Sequence, residues 1–116
     1  MTQTEMLPPP GIKAPPVPPQ VRADRLRADL EWLQLAQLDG VRRGHYLGST
    51  VVLPRGFHCA PAPWGSGIHF GVRYDGRAAI ASYREPQGDN QVVEVLQCAT
   101  AEVLRSTTLP SRVPAS

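Results

Sequence analysis

The sequence predicts an α+β fold with an extended proline-rich N-terminal arm, one amphipathic helix and a small antiparallel β-sheet or partly closed barrel. Three observations lead to this prediction. Seven of the 13 prolines fall within the first 20 of the 116 residues. Residues 20–39 contain almost only good or neutral helix formers. Alternating apolar and polar residues flank an Asp75-Gly76 pair, the strongest short hairpin signal.

The chain is short enough for only one domain, because fewer than 100 residues remain outside the arm. We assign residues 1–20 to the arm, residues 21–109 to a single α+β domain and residues 110–116 to a C-terminal tail. No apolar run approaches the ~20 residues of a membrane span. No signal-peptide pattern follows the start. We therefore expect no membrane partner, and a protein that is cytoplasmic or part of a virion assembled in the cytoplasm.

The arm is predicted to be extended because proline fixes φ and removes the N–H donor. Where it is proline-rich, its rise should be about 3.1 Å per residue. The arm carries almost no charge but several apolar side chains, so we expect it to lie along another protein surface. Its candidate interface residues are Leu7, Pro8, Pro9, Pro10, Ile12 and Val17.

The helix predicted over residues 20–39 ends at Asp39-Gly40, where glycine is able to take the left-handed cap. One apolar stripe contains Ala23, Leu26, Leu30 and Leu33. From Trp32 onward the apolar residues surround most of the helix, which indicates burial on more than one side. Trp32 and Leu35 are therefore candidate interface residues. The alternative is that the sheet covers both sides.

Strands are predicted over Tyr46–Leu53 and on both sides of Asp75-Gly76, and a two-residue turn fixes the hairpin register. Residues 91–108 fit either two strands, about 91–97 and 102–108, or a helix, and we choose the strands. The expected hairpin pairs are Tyr74 with Arg77, Val72 with Ala79, Phe70 with Ala81, and Ile68 with Tyr83.

Trp64 lies in a proline- and glycine-rich loop over residues 58–67. A tryptophan in such a loop either fills the core of its own domain or projects as an interface anchor. We favour the core and keep Trp64 among the candidate interface residues.

The charge is uneven, with residues 40–84 at a net +5 and residues 85–116 at −2. The two regions suit packing against neighbouring subunits, including copies of this chain, although ordinary solvated charge is the simpler interpretation. A specific nucleic-acid ligand is not expected, because no strong basic excess or recognisable module is present.

The remaining chemistry is sparse. Cys59 and Cys98 do not predict a disulfide scaffold without a secretion signal. The three histidines lack zinc-like spacing with them. No phosphate-binding glycine motif and no paired carboxylates occur. We therefore expect no metal, no cofactor and no catalytic residues.

One short segment is the basis of an enzyme hypothesis. His69-Phe70-Gly71-Val72, followed by Asp75-Gly76, resembles the histidine strand of papain-like cysteine peptidases. The resemblance covers about 15 residues. It implies that His69 activates a cysteine thiolate, for which Cys98 is the candidate. Structural roles for both residues are the alternative, which we favour.

Taken together, the sequence predicts a non-enzymatic structural or interaction subunit of a large assembly. Our example is a bacteriophage virion or phage-tail-like particle, as a capsid decoration, head–tail connector or tail accessory protein, with the arm lacing neighbouring subunits. A small adaptor or inhibitor that binds one host protein is the alternative, and a papain-like cysteine hydrolase is the third hypothesis.

Overall fold

A computed structural model describes residues 12–114 of the chain. Within them, one α-helix and six strands follow one another, with short 3₁₀ turns at Ala23–Arg25 and Arg43–Tyr46. The elements are β1 (Gln20–Val21), α1 (Leu26–Gln37), β2 (Ser49–Val52), β3 (Gly67–Tyr74), β4 (Arg77–Tyr83), β5 (Asn90–Gln97) and β6 (Val103–Pro110).

The six strands form one sheet in the order β1-β3-β4-β5-β6, with β2 also paired to β3. This confirms a small α+β fold. The expectation of a purely antiparallel sheet is wrong, because β1 and β2 both run parallel to β3. The chain passes through α1 after β1 and through a long loop after β2. Such connections return it in the same direction, whereas tight turns reverse it.

The β3–β4 hairpin has the predicted register in all four pairs. Its turn residues Asp75 and Gly76 have φ values of 48° and 86°. Positive φ at both central residues is what a type I′ hairpin turn requires. The local turn signal was therefore sufficient to align these two strands.

Residues 91–108 form two strands joined by a turn, as predicted, and the helical alternative is wrong. β5 and β6 pair antiparallel with an irregularity at Val95/Leu96. Val93 and Val95 belong to the core that packs under α1. The period of two places both valines on one face of β5.

The predicted helix exists but begins later than expected, at Leu26. The segment before it joins the sheet instead, since the Val21 carbonyl accepts a hydrogen bond of 3.0 Å from the Asp75 N–H. α1 buries one stripe against the sheet, and the Tyr83 hydroxyl donates to the Leu30 carbonyl at 2.6 Å. The helical residues buried in the core are Leu26, Leu30 and Leu33.

The opposite face of the sheet is covered by the loop of residues 53–66. Trp64 packs there against Ile80 and Leu96 in a second apolar cluster. A disulfide joins Cys59 to Cys98, and the Ala99 N–H donates to the Ala60 carbonyl at 3.1 Å. The expectation of no disulfide is wrong, because the loop crosses the sheet and reaches the turn after β5.

Among the described residues, no helix is long and apolar enough to cross a membrane.

Candidate interaction surfaces

The outward side of α1 carries an apolar stripe directly opposite the core. Trp32 is 66% exposed and Leu35 is 45% exposed. Ala28 and Ala36 are exposed beside them. Each of the four positions lies three or four residues from another, so all four share one face of the helix. We call these four residues the outer stripe. Nothing within the described part of the chain covers the outer stripe. The sheet therefore covers only one side of the helix, and the second apolar side is accessible to a partner.

The candidate arm residues divide into three groups. Leu7, Pro8, Pro9 and Pro10 lie outside the described residues. Ile12 is only 6% exposed and packs into the domain's own core, whereas Val17 is 68% exposed.

The segment between Ile12 and β1 is anchored to the domain. The Lys13 N–H donates to the Gln37 side chain at 3.4 Å, and the Pro19 carbonyl accepts from the Arg73 N–H at 2.9 Å. The surface available to a partner in this segment is therefore centred on Val17.

Trp64 is 6% exposed, so the interpretation of this ring as a core residue is confirmed and it presents little surface to a partner. Arg84 fixes the loop around it. The Arg84 guanidinium donates to the carbonyls of Trp64 and Ser66 at 2.5 and 2.8 Å. The same guanidinium pairs with Glu94 at 2.7 Å. One arginine thus ties the loop to β4 and β5.

His69 is fully buried, and both of its ring nitrogens are engaged. Because the Gly65 carbonyl only accepts, Nε2 donates to it at 2.8 Å, and Nδ1 accepts from the Ser82 hydroxyl at 2.6 Å. Burial lowers the pKa of His69 to about 4. With Cys98 in the disulfide, Cys98 has no thiolate, and neither ring nitrogen of His69 is free.

An open groove of about 990 Å³ runs beside the 3₁₀ turn that follows α1. Arg42 and Arg43 line it on one side, and Asp89 and Ser111 line it on the other. Glu85 lies 4.0 Å from the Arg43 guanidinium and offsets part of its charge. The groove therefore has mixed charge rather than the strongly basic surface that a polyanion requires.

Sequence reasoning did not identify the outer edge of β6 as a candidate surface. β6 is the last strand of the sheet, and Val103 and Leu104 are exposed there. The available signal was the loss of apolar and polar alternation between Val103 and Thr107, which is typical of a strand without a covered face.

Within residues 12–114, no group of three or more histidine, cysteine, aspartate or glutamate side chains has the arrangement of a metal site. Searches of protein-family models, curated proteins and solved structures found no match to this chain.

Proposed function

We propose that this protein is a non-enzymatic structural subunit of a larger assembly, held by contacts with neighbouring protein subunits. A bacteriophage virion or phage-tail-like particle is the assembly we name, with the chain as a capsid decoration, head–tail connector or tail accessory protein. The observation that carries the proposal is the outer stripe. A helix of a small domain has one apolar side buried in its own core and a second apolar side facing outward.

Two further features support this role. Exposed tryptophan is enriched among the residues that dominate protein interfaces, and Trp32 is exposed on a regular, well-packed helix. The proline-rich segment before Ile12 offers a second contact, because extended apolar arms add interface area without a larger core. The stripe and the arm together suit a subunit that touches more than one neighbour.

The disulfide is compatible with a particle that is released from the cell. Disulfides persist on virion and cell surfaces and are rare in the reducing cytosol. A virion protein folds in the cytosol and then works outside it, so the bond between Cys59 and Cys98 would close after release.

Light scattering coupled to size-exclusion chromatography tests the proposal on the full chain. We expect oligomers in the unaltered protein and a shift toward monomer in the double variant Trp32→Ala/Leu35→Ala. Leu47→Ala is the matched control, because Leu47 is an exposed leucine outside the outer stripe. Thermal unfolding of each variant checks that the fold is retained.

Removing residues 1–11 tests the arm separately. The deletion stops before Ile12, because that side chain belongs to the core. If the deletion variant forms smaller oligomers than the full chain, the arm contacts neighbouring subunits. A full chain that remains monomeric at every concentration would contradict self-assembly and favour the adaptor alternative, in which one partner forms a one-to-one complex.

The cysteine hydrolase remains the third hypothesis, and it has its own test. It requires a reduced Cys98 and a His69 nitrogen that is free to accept a proton. Loss of a measured hydrolase activity in Cys98→Ala and His69→Ala, with the fold retained, would support it.

A further inference from the structure

We propose that Cys59 and Cys98 form a redox lock on a loop that is already in place before the bond closes. In the reduced chain the loop of residues 53–66 lies on the sheet as it does in the oxidised chain, and oxidation joins the two cysteines without refolding. The proposal rests on the assembly role above, in which the chain folds in a reducing compartment and works outside it. The reduced form is then native, and oxidation stabilises it.

The C-terminal part of the loop is held by contacts that do not involve sulfur. The Trp64 ring is buried in the second apolar cluster, and its carbonyl accepts from the Arg84 guanidinium. The neighbouring Gly65 carbonyl accepts from His69 Nε2 at 2.8 Å. His69 belongs to β3 and Arg84 directly follows β4, so both donors are fixed by the sheet. This part of the loop therefore keeps its position when the disulfide is open.

The N-terminal part of the loop is held by close packing on a glycine of β3. A Cβ atom at Gly71 would lie 2.8 Å from the Phe57 ring and 3.0 Å from Pro54 Cδ. These two side chains therefore occupy the space that any larger residue would need. The Phe57 N–H also donates to the Pro54 carbonyl at 3.0 Å and closes a turn. The chain is thus positioned on the sheet just before Cys59.

The backbones on either side of the disulfide are also joined by a hydrogen bond. The Ala99 N–H, next to one cysteine, donates at 3.1 Å to the Ala60 carbonyl, next to the other. The Cα atoms of the two cysteines lie 5.2 Å apart, within the usual range for a disulfide. Because the hydrogen bond and the packing do not need the sulfur–sulfur bond, we expect the reduced thiols to stay within reach of each other.

The reduced state is accommodated at Cys98 and is accessible to a reagent. The Cys98 sulfur lies 3.5 Å from the Ala78 carbonyl, which is an acceptor for the thiol hydrogen when the bond is open. Both cysteines are only partly buried. A small molecule therefore reaches them in the folded protein.

The bond closes by two steps of thiol–disulfide exchange with a low-molecular-weight disulfide, of which oxidised glutathione is the probe. One cysteine thiolate attacks the probe, a mixed disulfide forms, and the first glutathione leaves as a thiolate. The second cysteine thiolate attacks the mixed disulfide at the protein sulfur and releases the second glutathione. The cysteine pair loses two electrons and two protons, and these convert one glutathione disulfide into two thiols.

Equilibration of the full chain with reduced and oxidised glutathione measures the effective concentration of the two thiols. Gly71→Ala places a methyl group against the Phe57 ring and should lower that effective concentration about tenfold. Gly44→Ala is the matched control, because a Cβ atom there has open space around it within the described residues. It should equilibrate like the unaltered chain. An equal effective concentration for Gly71→Ala and the unaltered chain would overturn the proposal.

Amide hydrogen exchange on the unaltered chain provides a second measurement that decides the question even if Gly71→Ala does not fold. The Ala99 amide should be protected in both the oxidised and the reduced protein, because its bond to Ala60 does not depend on sulfur. The Thr100 amide donates no hydrogen bond within the described residues and should exchange fast in both states. Exchange of Ala99 as fast as Thr100 after reduction would show that the loop leaves the sheet and that the lock is wrong.

The lock and the assembly role fail in different ways. If Trp32→Ala/Leu35→Ala disrupts oligomers but Ala99 loses its protection on reduction, the lock is wrong and the assembly role stands. If the unaltered chain stays monomeric while Ala99 is protected in both states, the assembly role is wrong and the lock stands.

Discussion

Removing the disulfide should lower the free energy of unfolding. The size of the effect depends on how far apart the two cysteines lie in the sequence. The bond joins Cys59 to Cys98, which are 39 residues apart. The entropy lost by the unfolded chain when a loop of that length is closed corresponds to about 4 kcal/mol. Since small domains unfold with a free energy of only about 5–15 kcal/mol, this is a large share of the total.

Urea unfolding of the oxidised protein and of Cys59→Ser/Cys98→Ser measures the difference. Tryptophan fluorescence is a suitable signal, because Trp64 belongs to the loop that the disulfide holds and is buried against the sheet. The added variant Trp32→Phe removes the exposed tryptophan and leaves Trp64 as the reporter. Reductant should lower the urea midpoint of the unaltered protein and leave that of the double serine variant unchanged.

A difference of less than about 1 kcal/mol between the oxidised protein and the double serine variant would refute this reasoning. It would mean that the unfolded chain is already compact around these two positions, or that the bond does not form. Thiol titration of the unfolded, oxidised protein separates the two cases, since a formed bond leaves no reactive thiol in this chain.

Two further results are expected. Because the pKa of His69 is about 4 in the folded state and about 6.5 when unfolded, the unfolded chain binds more protons between these values. Its contribution to stability is therefore complete above about pH 6.5 and falls by about 3 kcal/mol as the pH approaches 4. Urea unfolding at both pH values should show a smaller fall for His69→Gln, and an equal fall would contradict this account. Tyr83→Phe should lower the unfolding free energy by about 1 kcal/mol, because the buried hydroxyl loses its bond to the Leu30 carbonyl. An unchanged urea midpoint would mean that this bond adds no net stability.

The parts of the fold that the sequence predicted well depend on local signals. Asp75-Gly76 determined the β3–β4 register, because a two-residue turn with positive φ leaves one alignment of the flanking strands. The strands at 91–97 and 102–108 were recovered from their valines and threonines. α1 was recovered from its helix-forming residues, although its first turn was misplaced.

The parts that were missed depend on contacts between distant residues. Nothing near Gln20 or Ser49 indicates that both lie parallel to β3. The disulfide depends on the path that residues 53–66 take across the sheet. The prolines and glycines of this loop exclude regular structure but do not predict that path. Trp64 was placed correctly only by a general argument about burying a large ring. The free edge of β6 required knowledge of which strand comes last in the sheet.

The positions of the two cysteines also determine how the chain would respond to a pulling force. β3, β4 and β5 all lie between Cys59 and Cys98, whereas β1, α1, β2 and β6 lie outside that interval. Tension applied at the two ends of the domain would pass through the sulfur–sulfur bond and bypass residues 60–97, which the bond encloses. This segment would span roughly 130 Å if it were fully extended, and the disulfide prevents that extension. A chain pulled at both ends would lose its flanking elements while β3, β4 and β5 stay paired.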